Sequence, residues 1–178
     1  MKNRIVKRGV LAALFFILAV FPAHAYDLTL KDTPVSVYFS PRGGGQQAIV
    51  YAIGKAKESV YVQAYSFTSA PIAKALLEAH KRGVRVEAIL DKSQRKATYT
   101  GATFLKNEGI PVYIDAAHAI AHNKVMVIDG AIVITGSFNF TKAAEEKNAE
   151  NLLIIKDKAL AQLYMENWER HRGHSEGY

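Results

Sequence analysis

Apolar positions along this chain recur with two periods, about two residues in some stretches and about 3.6 in others, so strands and helices can be read off in turn. Val35 to Phe39 reads as a strand, broken by Pro41-Arg42-Gly43-Gly44-Gly45. Gln46 to Lys57 then places Ile49, Ala52, Ile53 and Ala56 on one helical face. Val60 to Phe67 is β-branched and aromatic, a strand. Pro71 to Arg82 predicts a second helix, with Pro in its first turn and Gly83 at its end, lined by Ile72, Leu76 and His80 with Ala73 and Leu77 beside them. Val84 to Leu90 is a strand ending at Asp91, Thr98 to Asn107 a short helix stopped by Gly109, and Val112 to Ile114 a short strand. Val125 to Ile128 and Ile132 to Thr135 flank Asp129-Gly130, a strong hairpin signal. Asn151 to Ile155 is a further strand, and Ala159 to Arg170 a closing helix that buries Leu160, Leu163, Tyr164 and Trp168. The early strand–helix–strand–helix–strand order predicts an α/β domain with a parallel portion, to which the hairpin adds antiparallel pairing.

The amino terminus departs from this pattern. Lys2, Arg4, Lys7 and Arg8 precede an apolar run from Val10 to Phe21, and Ala23-His24-Ala25 follows as a small-x-small site. That is the layout of a secretory signal peptide, and the run is shorter than the ~20 residues of a membrane span. Residues 1–25 are therefore expected to be a cleaved leader and 26–178 a single domain, placed in the periplasm or outside a bacterial cell. Removing the leader changes the charge picture. Of 23 basic residues, 4 lie in the leader with no acidic one, so the net charge falls from +7 to +3. A mildly basic domain is compatible with an anionic partner without requiring one. There are no cysteines, which excludes disulfides, thiolate metal sites, a cysteine nucleophile and an amino-terminal lipidated cysteine.

One constellation carries chemistry: His122, Lys124, Asp129, Gly136, Ser137 and Asn139, spaced H-x-K-x4-D-x6-G-S-x-N and present once. His122 and Lys124 lie two apart on a segment entering a strand, so an imidazole nucleophile and an ammonium can converge on one substrate atom. Ser137 and Asn139 are again two apart, and Gly136 permits close backbone approach. An ammonium, a hydroxyl and an amide form a donor cluster without a carboxylate, which suits a tetrahedral anion, phosphate best of all. Asp129, in Asp-Gly, is expected to organise the hairpin turn. Glu150, at the start of a strand and followed by Asn151, could fix the tautomer of an imidazole, although standing alone it would read as a solvated carboxylate.

These residues resemble the phospholipase D superfamily. Its HxKxxxxD motif appears as His122-Asn123-Lys124-Val125-Met126-Val127-Ile128-Asp129, its GSxN extension as Gly136-Ser137-Phe138-Asn139, and its Glu-Asn element as Glu150-Asn151. The resemblance runs from Tyr38 to about Trp168 and looks closest to the small bacterial Nuc-type endonucleases. It implies a mixed β-sheet flanked by helices, with one half of the two-motif site in each chain. It further implies a homodimer that brings two copies of His122 together across a two-fold axis. One neutral imidazole would attack phosphorus to give a phosphohistidine and the other would protonate the leaving oxygen, then activate water. Lys124, Ser137 and Asn139 would hold the non-bridging oxygens and Glu150 would orient an imidazole. Such a mechanism retains configuration at phosphorus and needs no metal or other cofactor. It also predicts a rate that passes through an optimum with pH, because one imidazole must be neutral and one charged.

Other signals are weaker. His118 and His122, four apart, could read as metal ligands on a helix, but Ala-Ile-Ala between them offers no partner and the stretch runs into a strand, so His118 is assigned to a loop beside the cleft. Gly43-Gly44-Gly45 lacks the Lys-Ser/Thr ending of a phosphate loop and is read as a tight turn. Lys92, Arg95 and Lys96 follow a strand end in a basic stretch and are candidates for contacting a nucleic-acid backbone, against the alternative of a solvated loop. The substrate expected on these grounds is DNA, with RNA left open; a phospholipid headgroup and a purely binding, non-catalytic nucleic-acid domain are the alternatives.

Overall fold

The computed structural model describes residues 25–95 and 101–178. The leader reading, Lys96 and the first three residues of the helix expected from Thr98 lie outside the described residues. Among the described residues eight strands form one sheet: β1 (Val35–Ser40), β2 (Ser59–Ala64), β3 (Arg85–Asp91), β4 (Val112–Asp115), β5 (Lys124–Ile128), β6 (Ile132–Gly136), β7 (Glu150–Lys156) and the two-residue β8 (Glu176–Gly177). Their order across the sheet is β1-β7-β6-β5-β2-β3-β4-β8. β2, β3 and β4 pair in parallel and every other neighbouring pair is antiparallel. The parallel portion and the antiparallel hairpin thus appear as expected. β1 does not join the parallel strands; three strands separate it from β2, and it pairs antiparallel with β7 at the far edge.

The helices are α1 (Gly45–Lys55), α2 (Ala70–Lys81), α3 (Gly101–Asn107), α4 (Lys142–Glu146) and α5 (Lys158–His174). The alternation along the strands assigns them to faces. Met126 and Ile128 face the main core with Ile49, Ile53, Ile72 and Leu76 of α1 and α2, while Val125 and Val127 face Ala161 of α5. The sheet is therefore covered on both faces, as a partly parallel sheet requires. Ala161 and Trp168 of α5 are buried, whereas Leu160, Leu163 and Tyr164 are only half-buried. Trp168 stays buried because its Nε1 donates to the Val62 carbonyl at 3.0 Å.

Local chemistry explains most boundaries. Ser69 caps α2 by accepting from the Ile72 amide, Asp157 caps α5 by accepting from the Leu160 amide at 2.8 Å, and Gly83 follows α2 with φ of 86°. α1 has no side-chain cap of its own. Instead the buried Glu145 on α4 accepts from the Gly44 and Gln46 amides at 3.1 and 2.8 Å. A carboxylate already occupies that helix start, so the glycine run is a turn rather than a phosphate cradle. The strand expected to reach Phe67 ends at Ala64, and Phe67 turns into the core to bridge Phe140.

The fold gathers strand ends at one edge. β1, β2, β3, β4 and β6 run towards it, and β5 and β7 start from it, as the pairing directions require. Asp91, Asp115, Lys124, Gly136 and Glu150 all stand there.

Candidate active site

Lys124 opens β5 opposite Ala64, the last residue of β2. Met126 pairs with Ile134 on β6, and extending that register by two residues sets Lys124 level with Gly136. The hairpin thus returns the chain to its starting edge and brings both halves of the motif together there. His122 is exposed, its ring resting on Tyr65 with centroids 4.6 Å apart. Lys124 is only 7% exposed; its Nζ donates to the His122 carbonyl at 2.8 Å and lies 5.3 Å above the Tyr65 ring. Burial pushes its ammonium below the ordinary lysine value, and the Glu150 carboxylate opposes part of that shift. An exposed imidazole therefore stands two residues from a buried ammonium that holds its backbone carbonyl.

Ser137 and Glu150 complete the edge. The Ser137 hydroxyl donates to Glu150 Oε2 at 2.6 Å and accepts from the Asn151 amide at 3.1 Å. Glu150 Oε1 accepts from Asn148 at 3.0 Å. Within one chain Glu150 therefore holds Ser137, and the expected bond from an imidazole is not among its contacts. The Asn139 side chain is half-buried with its Oδ1 shielded and without a hydrogen-bond partner. Such an atom is uncommon in a settled interior, and Gln63 Nε2 is the other one among the described side chains.

Comparison with known proteins identifies the family. The family model described as the cardiolipin synthase, PLD-like domain matches residues 49–172. A phospholipase D of Rickettsia conorii is 47% identical over 139 residues, spanning 78% of this chain and 70% of that protein. The chain belongs to the phospholipase D superfamily. A mitochondrial cardiolipin hydrolase of Xenopus tropicalis is 34% identical over 116 residues, 65% of this chain and 55% of that one. Among solved structures, the phospholipase D family member Nuc from Salmonella typhimurium has a TM-score of 0.78 at 38% identity, covering 83% of this chain and 99% of its own. NucT from Helicobacter pylori has a TM-score of 0.77 at 26% identity, covering 83% and 100%. The chain is a phosphodiester hydrolase of this superfamily, with the mixed, helix-flanked sheet of the Nuc structures.

Two motif residues have roles that are mainly architectural. Gly136 has φ of 145°, and a Cβ there would collide with the Asn151 carbonyl oxygen. The close approach that glycine permits is to β7, which lets Ser137 reach Glu150. Asp129 stands at the opposite end of β5, five residues or ~16 Å from Lys124. Its backbone makes the tight hairpin turn with φ of 52°, as expected. Its carboxylate does more, accepting from the Lys57, Glu58 and Ser59 amides at 2.8–3.2 Å and so fixing the start of β2. Burial pushes that carboxyl up, but the three amides and the Lys57 charge outweigh it and hold the carboxyl below the ordinary value. Asp129→Asn is expected to lower stability by about 2 kcal/mol. A depressed folded value contributes stability above the unfolded value of ~3.9 and loses it as pH falls through the lower folded value. Denaturant midpoints of the two proteins should thus converge on acidification; a constant gap down to pH 2 would rule out the ionised carboxylate as the source.

The basic stretch is engaged with the protein. Lys92 Nζ donates to the His118 carbonyl at 2.9 Å, and Arg95 pairs with Glu176 at 2.7 Å. Both side chains remain exposed at the site edge. His118 is a loop residue, as expected. It meets Asp115, His171 and His174, whose ligand atoms all lie within 4.8 Å of one another. Sequence reasoning missed Tyr65, Glu145, Asp115, His171 and His174. Only His171-x2-His174 at a helix end left a readable signal.

Proposed function

We propose that this superfamily member is a homodimeric, metal-independent endonuclease that cuts DNA, and RNA as a second substrate, through a phosphohistidine. The observation that carries the reading is that an exposed imidazole, a buried ammonium and a Ser–Glu pair, all from a motif present once in the chain, meet at one sheet edge; we read them as half of a site completed by a second copy. The near-complete coverage of the Nuc and NucT chains favours nucleic acid. In the reaction, neutral His122 attacks phosphorus, forming an N–P bond as the ester P–O bond breaks. His122 of the second copy, protonated, gives its proton to the leaving oxygen, then takes one from water as the P–N bond is hydrolysed. Lys124 and Asn139 hold the non-bridging oxygens, and Ser137 joins them when its proton turns from Glu150 to phosphate. Two inversions give retention at phosphorus. From the leader pattern of residues 1–25 we infer that the protein acts in the periplasm or outside the cell.

Supercoiled plasmid should be nicked by the purified protein in excess EDTA and not by His122→Ala. Failure of the wild type to cut any nucleic acid would sink the reading. Phospholipid headgroup hydrolysis is the second reading, supported by the Rickettsia relatives named phospholipase D and by Ile120, 56% exposed two residues before His122. Phosphatidylcholine vesicles assayed beside plasmid separate the two. If Lys92, Arg95 and Lys96 count phosphates, neutralising all three to Gln should reduce the slope of log affinity against log salt by about one to three. The existing partners of Lys92 and Arg95 favour the lower figure. An unaltered slope would take the stretch off the DNA path.

A further inference from the structure

Outside the reaction centre, one cluster stands apart from the rest of the described surface. Asp115, the last residue of β4, is wholly buried, and three imidazoles converge on its carboxylate. His171 Nδ1 lies 2.7 Å from Oδ2, His118 Nδ1 3.1 Å from both oxygens, and His174 Nε2 3.3 Å from Oδ2. The three rings pack within 4.8–5.2 Å of each other between centroids. We propose that Asp115, His118, His171 and His174 form a binding site for one divalent transition-metal ion of the zinc type, which fastens the loop carrying His122 to the end of α5.

Three features support a cation here over a purely hydrogen-bonded cluster. The first is spacing. The donors come as two short chelating pairs, Asp115-x2-His118 and His171-x2-His174, from two separate elements. Structural zinc sites are assembled from pairs of this kind. The second is distance. Four donors ~2.05 Å from a tetrahedral ion stand about 3.4 Å apart, and the three nitrogens already lie 2.7–3.3 Å from Asp115 with no pair beyond 4.8 Å. The third is donor chemistry. A single carboxylate oxygen, Oδ2, is approached by all three nitrogens, more than its lone pairs serve well. A three-nitrogen, one-oxygen set suits zinc and its neighbours and does not suit calcium or magnesium.

The surroundings show what the ion would do. The Ala117 amide donates to Asp115 Oδ1 at 3.1 Å, and Lys92 holds the His118 carbonyl, so the donors are braced from behind. Ser175 Oγ donates to the His171 carbonyl at 2.7 Å, closing α5 beside the cluster. From His118 the chain runs four residues to His122, with the Ala121 amide held by Asp91 at 2.8 Å. The ion would thus clamp one end of the short loop whose other end is the nucleophile, without touching the phosphorus. The spacing of His118 to His122 conceals this in the sequence, because the partners of His118 come from β4 and α5.

The test uses the protein purified without a polyhistidine tag, stripped of metal and titrated with zinc or cobalt. Expected are one equivalent bound per chain, the visible bands of tetrahedral cobalt, and a thermal midpoint raised by at least ~5 °C. His171→Ala with His174→Ala should bind no stoichiometric metal and show a midpoint indifferent to zinc. Should that variant not fold, His118→Ala, changing only a loop residue, should weaken binding at least 10-fold. His122→Ala should bind like the wild type. Absence of stoichiometric uptake, equal uptake by the ligand variants, or loss of uptake in His122→Ala each overturns the proposal. None of these readouts depends on hydrolysis, so they fail independently of the nuclease reading.

Discussion

Replacing His122 with Ala should lower phosphodiester hydrolysis by at least about 10³-fold, because under the mechanism proposed above one substitution removes both the nucleophile and the general acid of the site. The residue is exposed, and its ring packs at a tilt against Tyr65, so the fold should survive and the thermal midpoint should move little. The composite site makes a sharper prediction. If wild-type and His122→Ala chains exchange subunits freely at equal concentration, activity should fall to about 25% of that of wild type alone at the same total protein, the fraction of all dimers that are wild type in both subunits. A site complete within each chain would retain about half. The second result would refute the shared site while leaving His122 as the nucleophile, and unaltered hydrolysis by His122→Ala alone would refute the nucleophile as well.

The separation of chemistry from support in this fold was partly legible from sequence. Residues spaced by two, His122 with Lys124 and Ser137 with Asn139, were expected to share a face by strand geometry, yet of the four only Lys124 lies in a strand, and the other three sit in the loops that flank β5 and β6. The Asp129-Gly130 turn announced that the two pairs would meet at one edge. The partners of these residues were not legible. Glu150 was expected on an imidazole and instead accepts from Ser137, a contact set by the β6–β7 register, which brings Gly136 against Leu152. Glu145 lies on a helix of five residues, too short to show periodicity, and caps a helix 99 positions away. Asp115 lies just past the short strand expected from Val112 to Ile114; only the docking of α5 across the sheet brings His171 and His174 to it. Local pattern encodes elements and faces, while contacts between distant elements depend on packing that no single window contains.

Lys124 is where support and chemistry conflict most. Its ammonium is buried at 7% exposure, and its neighbours are the His122 carbonyl and the Tyr65 ring, with the Glu150 carboxylate acting on it only through its charge. Desolvation dominates, so its proton is held less tightly than in an ordinary lysine. The folded protein therefore carries a penalty for keeping this group charged at neutral pH. A transition state with charge building on phosphate oxygens repays that penalty only while substrate is bound. Lys124→Met should accordingly reduce the hydrolysis rate by about 10²–10³-fold and raise stability by about 1 kcal/mol. The sign of the pH dependence follows. A lysine whose folded value is depressed destabilises the fold at pH below that value, and the penalty disappears as pH rises towards the unfolded value of ~10.4. The stability advantage of the Met variant should thus be fully present at pH 7 and shrink as the solution is made alkaline. A Met variant less stable than the wild type at pH 7 would mean that the bond to the His122 carbonyl outweighs desolvation, and that Lys124 supports the loop as well as the phosphate.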